Sequence, residues 1–355
     1  MDDVFYYDAI DLLQQLIATP AISRDEAAAA SVFENFARKN MPGNVIRSGN
    51  NIIVLPLNPD PEKQNVLLNS HLDTVKPVAG WTKNPFTPTI DSDTEKLYGL
   101  GSNDAGAPLV SLAAAYRILA GADCKYNLIF VASAEEEVSG KGGFESIIPL
   151  LPKIDFAIVG EPTDMQPAIA EKGLMVLDGL AEGVSGHAAR NEGVNAIYKA
   201  IPAITALSEL KMPNTSKTLG DVKISVTQIN AGTQHNVVPD KCTFVVDVRT
   251  TDAYSNIETL EIIRKAAEPF GVTLTPRSTR LNPSSFPENH PIISRLKILG
   301  KMPFGSSTLS DQALMPWQSF KLGPGSSSRS HTADEYIILS EIREAIEIYV
   351  KCLKP

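Results

Sequence analysis

Cysteine, net positive charge and long apolar runs are all scarce in this sequence, and each scarcity removes a class of function. The three cysteines, Cys124, Cys242 and Cys352, stand far apart in no Cys-x-x-Cys spacing. That argues against a disulfide framework and for reduced thiols in a cytosolic setting. Lys and Arg number 32 against 41 Asp and Glu, a net charge of −9. Such a balance carries no footprint for nucleic acid and no attraction to anionic membrane. The most apolar helix-like segment, 106–122, contains Arg117 and is short for a membrane span. The opening MDDVFYYDAIDLLQQL is acidic and lacks the basic start of a signal peptide. Internal repeats and low-complexity segments are missing as well. The expectation is a soluble cytoplasmic protein with neither nucleic acid nor membrane as partner.

What is present is ordinary globular material. Hydrophobic residues make up 43% and charged residues 21% of 355 residues, a length that suits two domains better than one core. Apolar residues recur at helical period over 8–16 and 24–39, and strand-like runs cover 51–57 and 65–69. PLVSLAAAYRILAGA reads as a buried helix closed by Gly121, and KYNLIFVAS and KIDFAIVG as short core strands. These alternations predict an α/β fold, a parallel or mixed sheet with helices beside it. Its functional groups should then sit on loops at the carboxyl ends of strands. From about Lys172 the order becomes strand, helix, strand, strand, helix, strand, a ferredoxin-like α+β unit. The Pro/Asn/Ser-rich LNPSSFPENHP follows it, and the α/β pattern then resumes up to a helix over 340–353. The predicted organisation is a discontinuous first domain, 1–172 and 279–355, with an inserted domain, 173–278.

Titratable residues gather in five loops, three of them just after predicted strands, one just before a helix and one near the C-terminus. VLLNSHLDTV ends a core strand in His71 and Asp73; GLGSNDAG carries Asp104; ASAEEEVSG carries Glu135, Glu136 and Glu137; GEPTD carries Glu161; SRSHTADEY carries His331. Converging carboxylates would repel one another unless a cation compensates. A mixed His/carboxylate set suits Zn²⁺ or a similar transition metal. With His71, Asp104, Glu136, Glu161 and His331 as a trial ligand set, the charges suit two divalent ions, and Asp104 is the natural bridge. Asp73, two residues from His71, can accept the imidazole's second N–H and fix its tautomer. In an extended loop the side chains of Glu135 and Glu136 point apart. One can therefore bind metal while the other serves as general base.

The ordered series SHLDTV, GLGSNDAG, AEEE, GEPTD and SHTADEY resembles the dinuclear-zinc amidohydrolases that include acetylornithine deacetylase, succinyl-diaminopimelate desuccinylase, aminoacylase and glutamate carboxypeptidase. The resemblance implies a zinc-peptidase-like catalytic domain with an inserted lid and dimerisation domain. It implies two Zn²⁺, replaceable by Co²⁺, on His71, Asp104, Glu136, Glu161 and His331. Glu135 would be the general base and Asp73 the residue behind His71. GVSGHAARNEG resembles the family's lid motif, so His187 would help hold the oxyanion, in dimeric members that of the other subunit. INAGTQHNVVPDKCTFVVDVR resembles the segment whose Asn236 and Arg249 bind a substrate carboxylate, and Gly325 falls in a pocket-lining loop. Departures are Ser70, Leu100 and Ala105-Gly106, where relatives commonly carry Gly, Arg and Met-Lys.

The expected function is deacylation of an N-acetyl- or N-succinyl-ornithine or -citrulline in arginine biosynthesis, by a cytoplasmic homodimer joined through the inserted domain. A succinyl-diaminopimelate desuccinylase or a dipeptidase or tripeptidase is the alternative. Arg190, Arg280 and Arg329 are the candidate cations for a succinyl end. Asp311 is either a partner for a basic side chain or a structural carboxylate.

Overall fold

The structure is a computed structural model that describes residues 3–120, 122 and 124–354; Gly121, the expected helix stop, lies outside the described residues. The chain forms two compact units. One comprises Met1–Ile169, Ser285–Phe304 and Ser310–Pro355, the other Ala170–Ser284 with Gly305–Leu309.

The first unit is a mixed sheet between helices. Six neighbouring strands of it follow the order Asn44–Ser48, Asn51–Leu55, Asn127–Ser133, Asn65–His71, Phe156–Val159, Ser319–Lys321. The last four run parallel to one another, whereas Asn44–Ser48 and Asn51–Leu55 form an antiparallel hairpin at the edge. Side chains alternate between faces. Ile52, Val54, Val66, Leu68 and Phe130 join one core with the helices Asp3–Ile17, Ala27–Asn40, Ala107–Ala120 and Leu339–Leu353. Ile53, Leu67, Ile129 and Val131 join another with Phe144 and Ile147. Because both faces are covered, these strands read in sequence as unbroken apolar runs.

Each helix buries what its pattern dictates. Asp3–Ile17 turns Tyr6, Ala9, Ile10, Leu13 and Ile17 inward at helical spacing. Ala107–Ala120 is apolar nearly all round and is buried nearly all round. The second helix was expected from residue 24 but starts at Ala27, because Arg24 sits at φ +76°, outside helical space.

The second unit is an antiparallel sheet ordered Lys223–Ala231, Lys241–Thr250, Gly173–Glu182, Val272–Pro276. That is the ferredoxin-like arrangement. The helices Ala196–Glu209 and Asn256–Ala267 pack on it through Leu207, Leu260 and Ile263 against Met175, Leu177, Phe244, Val246 and Val248. Ser255 caps the second helix in a reciprocal box with Glu258. A small hairpin, Gly186–His187 with Val237–Val238, is added to the basic plan.

Phe130 is fully buried, stacked on Phe33 at 5.6 Å between centroids and edge-on to Tyr116 at 6.0 Å. Phe130→Ala is expected to cost about 3–5 kcal/mol, read as a lower urea midpoint for the first unit. A loss below about 1 kcal/mol would show that this stack does not hold the face together.

Candidate metal centre

The centre is built at the carboxyl ends of three neighbouring parallel strands. His71 closes Asn65–His71 opposite Ser133, the last residue of Asn127–Ser133, and Glu161 follows Phe156–Val159. His71 Nε2 lies 3.3 Å from Asp104 Oδ1, 3.9 Å from Glu136 Oε2 and 3.9 Å from Glu161 Oε1. His331 Nε2 lies 3.0 Å from Glu137 Oε2 and 3.7 Å from Asp104 Oδ2. Asp104 thus turns one oxygen toward each histidine. Ligand atoms of His71, Asp104 and Glu137 all fall within 4.8 Å of one another.

The glutamate turn departs from the expected geometry. Glu135 adopts φ +54° and a 3₁₀ turn, Glu136–Val138, follows. The loop is therefore not extended, and side chains do not alternate along it. Glu135 turns onto the glycine-rich loop, where Gly142 N–H donates to its carboxylate at 3.3 Å. A Cβ on Gly140 would stand 1.8 Å from Glu135 Oε2, so glycine there makes room for that side chain. Glu136 and Glu137, a third of a turn apart on the 3₁₀ spiral, face His71 and His331 instead. Sequence reasoning gave Glu137 no role. The signal that could have found it is SGKGG, whose glycines leave room for Glu135 and so leave Glu136 and Glu137 to face the histidines.

Side-chain acceptors hold this turn by its backbone. Ala134 N–H donates to Asn51 Oδ1 and Glu135 N–H to Glu26 Oε1, both at 2.9 Å. Glu136 and Glu137 N–H donate to the two oxygens of Asp73 at 3.0 and 3.2 Å. Asp73 therefore does more than sit behind His71. The nearest acceptor for His71 Nδ1 is the Asp73 main-chain carbonyl at 2.9 Å, with its carboxylate at 3.6 Å. Since a carbonyl only accepts, Nδ1 carries the proton and Nε2 is left for the cluster.

Asp104 lies in the turn Ser102–Gly106, after Gly101 at φ +76°, and its peptide bond to Ala105 is cis. Gly325 sits at φ +82°, and a Cβ there would come 2.2 Å from Asn103 Oδ1. Asn103 exchanges two hydrogen bonds of 3.1 Å with the Ser326 backbone, and Gly325 O accepts from Asp164 N–H at 2.7 Å. Gly325 thus joins the Asp104 turn to the loop after Glu161. Ser70, noted above as a departure from the family pattern, is buried and donates to Gly160 O at 2.8 Å.

Burial works against a charged His71, yet bonds to Asp104 and Asp73 and the charges of Glu136 and Glu161 hold it well above its usual range. Burial pushes Glu136 well up, and Glu161, Asp311 and Glu137 push further while His71 opposes. Glu137 is raised by burial and by Asp104. Asp311, buried and accepting Ser133 Oγ at 2.6 Å, is pushed up to about 6 by burial. It is a carboxylate under the strand ends, not an exposed partner for a substrate amine. The cluster is one that a cation would relax, and two imidazoles among carboxylates fit divalent ions of the zinc type.

The remaining candidates lie on other elements. His187 and Asn236 meet in the added hairpin of the second unit, where Ala188 N–H donates to Asn236 O at 3.0 Å. Arg249, in the strand Lys241–Thr250, is held by Asp247 at 2.9 and 3.3 Å. Arg329 is committed to both oxygens of Glu341 at 2.7 and 3.0 Å and covers the Tyr336 ring. Arg190 is exposed, 3.6 Å from Glu192.

Among known proteins, the profile of peptidase family M20/M25/M40 matches residues 67–354. Acetylornithine deacetylase of Proteus mirabilis is 29% identical, with 96% of this chain and 94% of the relative covered. That of Klebsiella pneumoniae is 30% identical, with 96% and 95% covered. In structure, aminopeptidase PepT of Bacillus cereus superposes with a TM-score of 0.77 at 16% identity, covering 98% of each chain. The Bacillus subtilis YXEP protein, a dinuclear metal-binding peptidase, superposes at 0.76 and 14% identity, covering 99% of this chain and 98% of that one. At such identities these two likenesses speak for the fold.

Metal uptake at pH 7 is expected to release protons, because His71, Glu136 and Glu137 all have raised affinities for them. The sign follows: protons compete to higher pH than at an ordinary imidazole, so apparent affinity rises as pH increases through neutrality. Calorimetric titration with Zn²⁺ in buffers of different ionisation enthalpy checks this. A binding heat independent of the buffer would contradict the protonated cluster.

Proposed function

We propose that this chain, which belongs to peptidase family M20/M25/M40, is a metal-dependent amidohydrolase that deacylates an N-acylated amino acid. The observation that carries the reading is the two-sided arrangement about Asp104, with His71 at one oxygen and His331 at the other. His71, Asp104 and Glu161 would hold one divalent ion, and Asp104, Glu137 and His331 a second, zinc with cobalt as substitute. The chemistry such ions supply when bound is Lewis acidity toward the amide carbonyl and toward water.

The chain's own groups do the rest. Glu136 takes the place foreseen for Glu135 as general base, and Glu137 the ligand place foreseen for Glu136. A carboxylate held above its usual range accepts a proton from water and returns it to the departing amine. Asp73 fixes the His71 tautomer and, through two amides, the aim of the Glu136–Glu137 turn. His187 stabilises the oxyanion, and Asn236 and Arg249 bind the substrate carboxylate, a role for which a guanidinium oriented by Asp247 is suited. The substrate class, an N-acetyl- or N-succinyl-ornithine or -citrulline in cytoplasmic arginine synthesis, is supported by the likeness to acetylornithine deacetylases. No helix among the described residues is long and apolar enough to cross a membrane.

A homodimer through the second unit belongs to the same reading. Tyr198 and Ile201, one helical turn apart on Ala196–Glu209, are 75% and 50% exposed, and Ile229 on the adjoining edge strand Lys223–Ala231 is 53% exposed. An apolar face beside an unpaired strand edge suits a second copy. Ile229→Asp with Tyr198→Asp is expected to convert a dimer into a monomer by analytical ultracentrifugation. A wild-type chain sedimenting as a monomer at micromolar concentration removes the dimer from the reading.

Turnover of N-acetylornithine, N-succinylornithine, their citrulline analogues, N-succinyl-diaminopimelate and dipeptides by the metal-loaded chain tests the activity. Glu136→Gln is expected to lower kcat by about 10²-fold or more with metal content unchanged, while Glu135→Gln retains most activity. The reverse ranking would restore Glu135 as the base. Cleavage of dipeptides alone would replace deacylation by peptidase activity.

A further inference from the structure

The five residues from His331 to Glu335 do three things at once. His331 faces Glu137 and Asp104. Asp334 accepts from Thr82 N–H at 2.9 Å, Thr82 Oγ at 2.7 Å and Lys83 N–H at 3.1 Å. Glu335, 2% exposed, accepts from Gly101 N–H at 3.2 Å through one oxygen. Its other oxygen accepts from Asn103 N–H at 2.8 Å and Asp104 N–H at 3.0 Å.

Buried amides in an irregular turn have no helix or sheet ladder to satisfy them, so a side chain must do it. Here a single carboxylate serves three amides of the turn that presents Asp104, including that of Asp104 itself. With its N–H held and the Asn103 side chain tied to Ser326, the Asp104 backbone has little freedom. Its Oδ1 stays near His71 and its Oδ2 near His331. Glu335 also follows His331 by only four residues, so the same short segment sets both partners of the 3.7 Å approach.

We propose that Glu335 is the positioning residue for Asp104: it is not a metal ligand, but it fixes the reach of the one carboxylate shared by both sides of the centre. The proposal rests on the metal-centre part of the reading above and is independent of which amide is cleaved.

The test uses the full chain with Co²⁺ as probe. Glu335→Gln keeps the side chain's size but places an NH₂ against at least one of the three amide donors. Glu335→Asp keeps the carboxyl group and withdraws it by one methylene. Both variants are expected to bind Co²⁺ about 10- to 100-fold more weakly, with an altered visible spectrum, Glu335→Asp less than Glu335→Gln. A merely structural role would lower the melting temperature of the metal-free chain and leave the Co²⁺ spectrum of the folded, loaded variant as in the wild type. That result overturns the proposal. Should neither variant fold, hydrogen exchange in the unmodified chain decides. Amides of Gly101, Asn103 and Asp104 must be protected with and without metal, and exchange at exposed-loop rates overturns the assignment. A wild-type chain that binds no Co²⁺ refutes the metal centre itself, a different failure from equal binding by wild type and variant.

Discussion

Asp73, Asp104, Glu136, Glu137, Glu161 and Asp311 all act electrostatically on His71 at one end of the parallel sheet, and their mutual repulsion is what the first unit must bear. Water cannot screen charge at a buried strand end. Such a group of carboxylates either keeps protons, shares them with the imidazoles, or takes up cations. The raised proton affinities of His71, Glu136 and Glu137 describe the first two outcomes, and the donor chemistry describes the third. The frame that resists this repulsion is apolar and continuous: strands buried on both faces leave their ends little freedom to splay.

Backbone amides carry much of the compensation. Asn51, Glu26 and Asp73 accept from four successive amides of the glutamate turn, and Glu335 accepts from three of the Asp104 turn. In each case a side chain from a distant part of the sequence replaces a ladder that the loop cannot have. The arrangement fixes the peptide planes from which the cluster's side chains project. The same logic explains Gly325, where the absence of a side chain lets one loop approach another closely, and Gly140, where it makes room for the Glu135 carboxylate.

Much of this was legible in the sequence. Apolar runs over 65–69, 125–133 and 153–160 announced core strands of a parallel or mixed sheet, and the loops after them carried groups that converge. The strand and helix order of the inserted unit could be read from periodicity alone. The local register of Glu135, Glu136 and Glu137 could not. It depends on whether the backbone extends or coils after Ser133, and three identical residues give no pattern to decide. Asp73 was legible as a neighbour of His71, but its bonds to Glu136 and Glu137 span more than sixty positions. Glu335 was invisible for a similar reason, since an acidic residue in SHTADEY looks like solvent-facing loop until the Gly101–Asp104 turn closes over it.

The first unit is interrupted: His71, Asp104, the glutamate turn and Glu161 precede the inserted residues, whereas His331 and Glu335 follow them. In the order of synthesis, the second unit is therefore complete before the centre has its last wall. A nascent chain holds the acidic half of the cluster with neither His331 nor the Glu335 brace until residue 335 has left the ribosome. Completion of the centre is thus a late event in the life of the molecule, and a chain that stops early has only protons and His71 to set against its buried carboxylates.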